Sequence, residues 1–381
     1  MCPQKNILIL TSKTGGGHVS LAEALADLIQ AGAVAEEPLA LGAKSTYKTT
    51  IIDPQPAFFH QHYRLVSRYA LWLWAAEFRL LDGSQRALMA HRGFTLLVRR
   101  QLCELLDRLQ PDLILTTYPF LSYEVMRVQK QRSGKVPLVM LFSDANGVHS
   151  AWLSERNAAA TLATTRETYK QALSVGFVPE HLHLVGWPVR AQFRRAYASG
   201  QEERRALTSS LKLEPERFTV LLQGGGEGSA HMDRAIQNIL STGVQLILAT
   251  GSNRAMYERY QHNSSLVCLP YTKTIATYMA AADVIMGKAG PNTLFESVML
   301  GKPFIATSYI PGQEYANLPF IERYGLGWVA LQPEEQRALL GRLITHPGQL
   351  QAKIESVETY RQWNVEASTH IWPLIRSLLE A

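Results

Sequence analysis

The chain has 381 residues, 46% of them hydrophobic and 18% charged, with a formal charge of +6. That composition excludes a disordered chain and a small disulfide scaffold, and the length allows two ordinary domains. The charge favours an anionic partner such as a nucleotide, a nucleic acid or an acidic membrane surface.

In chain order, short apolar runs alternate with stretches of helical period. The runs at 6–10, 49–53, 112–117, 137–142, 159–165 and 181–186 are predicted strands, and the segments between them carry apolar residues at spacings of three and four. This is the pattern of a parallel sheet with crossover helices. It restarts with strands at 218–223, 244–251, 265–270, 282–287 and 303–308. The charged segment 187–217 lacks a strand and is predicted to join the halves through a linker and a helix. The expected organisation is a first domain at 1–187, completed by a C-terminal helix about 366–381, and a second domain at 188–365. The fold class is α/β, with two doubly wound domains that would bind ligands outside the carboxyl ends of their strands.

Each half opens with a strand running into glycines. "TSKTGGGHVS" (11–20) has no Gly-Lys-Ser/Thr and no G-x-G-x-x-G, so neither the P-loop nor the nicotinamide fingerprint is met. Asp53, at the end of the second strand, lies well beyond the usual ~20 residues after such a fingerprint. Glycines let backbone approach a ligand closely, and the following helix offers its positive end. His18, in the first turn of that helix, would stay neutral and could act as a general base on a hydroxyl. Ser20 and Glu23 have capping-box spacing, which would start the helix two residues later.

Cys2, Cys103 and Cys268 are few and far apart, which suits a reducing compartment and no metal cluster. The N-terminal residues run into a strand without a signal-peptide pattern, and no apolar run is long enough to span a bilayer. The expected location is therefore cytoplasmic. Residues 57–100 interleave Phe58, Phe59, Tyr63, Tyr69, Trp72, Trp74 and Phe78 with Arg64, Arg68, Arg79, Arg86, Arg92, Arg99 and Arg100. Trp72, Trp74, Arg64 and Arg68 are the expected membrane contacts, since indoles favour the headgroup zone and arginines attract anionic lipid. A pair of buried helices would use the same apolar residues, and aromatics with arginines can also bind RNA.

The segment 283–321, "DVIMGKAGPNTLFESVMLGKPFIATSYIPGQEYANLPFI", is the most specific stretch of the chain. With "TGGGH…AEAL", "SDANGVHSAW" (143–152) and "GGGEG" (224–228), it resembles the GT-B glycosyltransferases that act on lipid acceptors. The group concerned is the diacylglycerol glycosyltransferases, which include monogalactosyldiacylglycerol synthases. The resemblance follows nearly the whole chain in order. It departs at Lys13, where Asp is more usual, and at Val19, where a basic residue often stands.

The resemblance implies a hexosyltransferase that uses a UDP-hexose, with galactose favoured, and diacylglycerol, without nucleic acid, cofactor or metal. His18 would be the base of an inverting displacement. Gly16, Gly17, Asn146, His149 and Trp152 would lie on the acceptor side. Gly225, Gly226 and Glu227, with Gly290, Pro291, Asn292 and Thr293, would hold the diphosphate beside Lys288. The loop from Leu269 through Tyr271 to Thr272 would hold uracil through backbone groups, Glu296 would accept from the ribose hydroxyls, and Gln313 and Glu314 would bind the sugar. The enzyme would lie peripherally on the cytoplasmic face of a membrane and be drawn to anionic lipids. Alternatives are a glucosyltransferase of the same acceptor, a UDP-GlcNAc transferase of peptidoglycan lipid intermediates, and a binding module without catalysis.

Overall fold

The computed structural model describes residues 4–36, 47–132, 136–223 and 232–381. Its first part runs β1 (Lys5–Leu10), α1 (Gly17–Glu36), β2 (Tyr47–Ile52), α2 (Ala57–Tyr69), α3 (Leu71–Leu81), α4 (Ser84–Leu109), β3 (Leu113–Thr116), α5 (Ser122–Gln129), β4 (Leu138–Leu141), β5 (Ala160–Ala163), α6 (Arg166–Ser174) and β6 (Leu182–Leu184). These strands form a parallel sheet of order β2-β1-β3-β4-β5-β6. Three helices, not one, occupy the crossover from β2 to β3.

The second part runs α7 (Ala191–Ala198), α8 (Gly200–Ser210), β7 (Thr219–Gln223), α9 (Met232–Leu240), β8 (Gln245–Ala249), α10 (Arg254–Tyr260), β9 (Val267–Leu269), α11 (Ile275–Ala281), β10 (Val284–Lys288), α12 (Pro291–Met299), β11 (Phe304–Ser308), α13 (Asn317–Arg323), β12 (Gly327–Val329), α14 (Pro333–Thr345), α15 (Pro347–Ser368) and α16 (Ile371–Glu380). Its parallel sheet has the order β12-β11-β10-β7-β8-β9. The strand β12 was not anticipated. It has only three residues and begins on glycine, so it carries no alternating or continuous apolar signal.

Both sheets are covered on both faces, which is why their central strands read as continuous apolar runs. The segments LILT of β3, LVML of β4 and QLILA of β8 are buried throughout. One core gathers Leu8, Leu10, Ile114, Met140, Phe142 and Trp152 with Phe94, Val98 and Leu102 of α4. The other gathers Val220, Leu222, Leu246, Leu248 and Met286 with Ile236, Ile239 and Leu340.

The chain divides into two compact units. One comprises Met1–Arg190, Pro311–Gln313 and Asn364–Ala381, and the other Ala191–Ile310 and Glu314–Trp363. The division falls inside α15. At its far end Asn364, 1% exposed, clamps Trp187 reciprocally: Trp187 N donates to Asn364 Oδ1 (2.6 Å), and Asn364 Nδ2 donates to Trp187 O (2.9 Å). Trp372 of α16 packs edge-on against Tyr47 and lies where any side chain at Gly32 of α1 would sit. Pro373 does not kink the C-terminal helix. The break is at Thr369–His370, and Pro373 falls in the first turn of α16, where its missing N–H has no helical partner to lose.

In each sheet the strand order reverses beside its first strand, between β1 and β3 and between β10 and β7. Such reversal points open a crevice at the carboxyl ends of the strands. Residues 11–18 and 117–118 follow the first pair, and 289–293 follow β10 of the second.

Candidate active site

In the first unit, β1 ends in the turn that carries the glycines. Ser12 Oγ and Thr14 Oγ1 are 2.7 Å apart, and Thr14 N donates to Ser12 Oγ (3.1 Å). Gly15 has φ +73, a left-handed conformation that glycine adopts without strain, and an added Cβ would lie 3.0 Å from the Tyr63 hydroxyl. Gly16 is exposed with open space beside it, and Gly17 begins α1. The first helical hydrogen bond runs from Ser20 N to Gly16 O (3.0 Å), so the helix starts before His18 and the Ser20/Glu23 capping box is not used.

His18 is held from the neighbouring strand. Its Nδ1 lies 2.8 Å from the carbonyl oxygen of Thr117, directly after β3. A carbonyl only accepts, so Nδ1 carries the proton and Nε2 keeps its lone pair. The Thr117 hydroxyl donates to His18 O (3.0 Å) and Thr11 Oγ1 lies within 2.9 Å of it, and the Tyr118 ring meets the imidazole edge-on at 5.0 Å. The residue is half-buried, and the surrounding protein strips enough water from the imidazole to lower its pKa to about 4. Desolvation is the largest cause, against which the Thr117 carbonyl and the Asp53 carboxylate both favour the cation. The neutrality expected from the helix dipole is thus present, chiefly through burial. The same burial raises the pKa of Tyr118.

Asp53 ends the second strand as an organiser. It accepts from Lys13 N (2.6 Å) and Gln55 N (2.9 Å) and pairs with His60 Nε2 (2.7 Å). Sequence reasoning gave it no role, although its position after β2 placed it at the carboxyl edge.

The segment 143–152 lies in the same unit and is fastened by the crossover helices. Asp82, between α3 and α4, accepts from Ser150 N (3.1 Å) and Oγ (2.7 Å). His149 is buried and donates through Nε2 to Phe78 O (3.2 Å), while its Nδ1 accepts from Ala151 N (3.2 Å). Asp144 Oδ2 accepts from His149 N (3.2 Å), and burial raises the Asp144 pKa. Asn146 is half-buried. Trp152 is fully buried in the core against Phe142, 5.6 Å between rings, and so presents no surface to an acceptor. Behind this segment His91 of α4 and Glu124 of α5 form a wholly buried pair. His91 Nδ1 lies 2.8 Å from Glu124 Oε1, and Nε2 donates to Ala151 O (2.9 Å). Burial pushes the Glu124 pKa up to about 7.

In the second unit, β10 delivers Lys288 to its carboxyl end, and a tight turn with Gly290 N 2.6 Å from Lys288 O leads into α12. Gly290 caps that helix without a side chain, Pro291 takes its first position, and Asn292 and Thr293 follow, half-buried. Their N–H groups lie in the first turn, where no helical acceptor exists. Lys288 is ion-paired with Glu314, whose other oxygen accepts from Ile310 N (2.8 Å). Asn317 Nδ2 donates to Ala289 O (2.9 Å) and fixes the loop from the other side. Glu296 is 8% exposed on α12. Gln313, which the division assigns to the first unit, has its Oε1 buried without a hydrogen-bond partner among the described residues. Leu269 is buried, and its carbonyl already accepts from Thr250 N (3.0 Å) and Oγ1 (2.9 Å); Tyr271 is exposed. Gly225, Gly226 and Glu227 lie outside the described residues.

Helices α2–α4 present an apolar and basic surface. Of the large hydrophobic side chains exposed among the described residues, more than half lie between Phe58 and Leu97. On α4, Ala87, His91, Phe94 and Val98 face the core, while Met89 and Leu96 stand out with Arg92, Arg99 and Arg100. Arg64 and Trp72 are exposed, Trp72 by 75%. Trp74 differs: its ring packs edge-on against Tyr63 at 5.0 Å and its indole nitrogen is buried. Residues two apart on a helix point to nearly opposite sides, so the two indoles do not share a face. The side chain of Arg68 lies outside the description. Among the described residues no helix is long and apolar enough to cross a membrane.

Residues 18–189 match the monogalactosyldiacylglycerol (MGDG) synthase family, and residues 219–358 match the glycosyltransferase family 28 C-terminal domain. A protein of Oryza sativa subsp. japonica named probable monogalactosyldiacylglycerol synthase 2, chloroplastic, is 28% identical over 373 aligned positions, covering 91% of this chain and 75% of its own. Among solved structures, Os79 from O. sativa in complex with U2F and trichothecene has a TM-score of 0.67 at 12% identity, covering 98% of this chain and 100% of that one. UDP-GlcNAc 2-epimerase from Neisseria meningitidis, bound to UDP-GlcNAc, has a TM-score of 0.60 at 12% identity, covering 99% and 100%. At such identities the solved structures establish the fold alone, and the epimerase shows that this fold also carries other chemistry. The chain thus carries, in this order and each on a parallel six-stranded sheet, a domain of the monogalactosyldiacylglycerol synthase family and a glycosyltransferase family 28 C-terminal domain.

Proposed function

We propose that the enzyme transfers a hexose, galactose in our reading, from a UDP-sugar to the free hydroxyl of 1,2-diacylglycerol with inversion. The observation that carries this is the single tautomer imposed on His18 by the Thr117 carbonyl, which leaves Nε2 able to take a proton. As the acceptor oxygen bonds to the anomeric carbon, its proton passes to Nε2. The bond to UDP breaks on the opposite face, and UDP leaves with the electron pair. A base with a pKa of about 4 takes this proton only as the new bond acidifies the hydroxyl, so transfer and attack run together. The Asp53 carboxylate supports the transient imidazolium.

On the donor side, the first-turn amides of α12 and Lys288 would receive the diphosphate, and Glu296 the ribose hydroxyls. The exposed apolar and basic face of α2–α4 would hold the enzyme peripherally on anionic lipid, bringing it to an acceptor that stays in the bilayer. The assay offers radiolabelled UDP-galactose, UDP-glucose and UDP-GlcNAc in turn with diacylglycerol in vesicles. Labelled β-galactosyldiacylglycerol is expected. Transfer from UDP-glucose alone corrects the sugar, and epimerisation of UDP-GlcNAc without transfer overturns the reading.

A further inference from the structure

The Lys288–Glu314 pair stands where two separate donor contacts were expected, one to phosphate and one to sugar. Glu314 is 4% exposed, and its oxygens are divided between Lys288 and Ile310 N. Held so and buried, the carboxylate offers little surface to a sugar hydroxyl. The Lys288 ammonium is more accessible, and the pair lies close against the start of α12: a Cβ on Gly290 would be 3.4 Å from both Lys288 Nζ and Glu314 Oε1. A carboxylate at that point partly cancels the positive field of the helix end.

We infer that the pair is a latch that makes sugar recognition depend on the diphosphate. This rests on the donor reading proposed above. A diphosphate at the first turn of α12 carries more charge than one carboxylate and takes Lys288 from Glu314. The freed carboxylate keeps Ile310 N and gains an oxygen that accepts from hexose hydroxyls. A free hexose brings no charge to displace Lys288, so it does not open the site. The donor is read as one unit, phosphate first.

The test is calorimetric titration of the full chain with UDP, uridine and UDP-galactose. In Glu314→Gln the side chain can still accept from Ile310 N but no longer competes for the lysine. UDP affinity is expected to rise by about fivefold, the scale of one competing charge-assisted contact removed, with uridine affinity unchanged. The gain from adding galactose to UDP should shrink, since a charge-assisted bond is replaced by a neutral one. Weaker UDP binding by Glu314→Gln overturns the latch and makes Glu314 a support for Lys288. Should that variant not fold, Lys288→Met tests the other partner: loss of UDP affinity with uridine unchanged supports the latch, and no loss overturns it. A wild-type protein that binds no UDP overturns the donor reading itself, and the latch with it.

Discussion

The two units place their chemistry at the same topological point and give it opposite electrical character. In the first, the reversal between β1 and β3 holds an imidazole stripped of water and kept neutral, with its orientation set by a backbone carbonyl. In the second, the reversal between β10 and β7 holds a helix start without a side-chain cap and a lysine beside it, where the proposed diphosphate would bring negative charge. A base must lose its charge to act, and an anion seat must keep its own. Burial that outweighs the nearby Asp53 carboxylate serves the first, and a balanced ion pair beside first-turn amides serves the second.

Breaking either unit should therefore damage one function and spare the other. His18→Ala is expected to lower kcat by about 100-fold or more. Its UDP affinity should match wild type by calorimetry; a matching loss of UDP binding would mean that the division of labour is wrong. Glu296→Ala should do the reverse and weaken UDP binding by about tenfold to 100-fold, since hydrogen bonds to a charged group contribute about 1.5–3 kcal/mol each. Unchanged affinity would place the ribose elsewhere.

The pH profile sharpens the same contrast. Only neutral His18 can accept the proton, and its pKa is lowered to about 4. The rate should stay level as pH falls through the ordinary histidine range. It should then drop about tenfold per unit below the lowered value, followed on rapid dilution into acid to outrun unfolding. An acid limb near 6.5 would show a solvated imidazole. The smallest effect concerns the helical face. Trp72→Ala should reduce binding to anionic vesicles by about fivefold with an unchanged melting temperature. Trp74→Ala should instead lower the melting temperature, because its ring is packed on Tyr63. High salt should weaken vesicle binding by the wild type without abolishing it.

The strands of both sheets were legible because fully buried parallel strands must be apolar along their whole length, and LILT or LVML leaves little else to read. Gly-Trp-Val of β12 was not, because it begins on glycine, whereas the equally short β6 and β9 begin on Leu182 and Val267 within apolar runs. His18 was visible as a residue type in a glycine turn, but its holder was not: a Thr117 carbonyl is the same atom on any residue. Burial separated look-alikes that the sequence cannot. Trp152 stands in a segment that resembles an acceptor motif, yet closes a core, and Trp72 and Trp74 differ only by their angle around α3. Lys288 and Glu314 were both singled out; that they hold each other depends on a loop returning from β11, which no local pattern records.

The clamp between Asn364 and Trp187 has a consequence for synthesis. The first unit is left open at Arg190 and receives its closing pieces, Asn364 and the helix bearing Trp372, only after the whole second unit has been made. As the chain emerges from the ribosome, the later half can finish folding first, while the earlier half waits with Gly32 and Tyr47 uncovered. The surface of α1 around Gly32 and the edge strand at Tyr47 are therefore covered late in the life of each molecule, when α16 arrives.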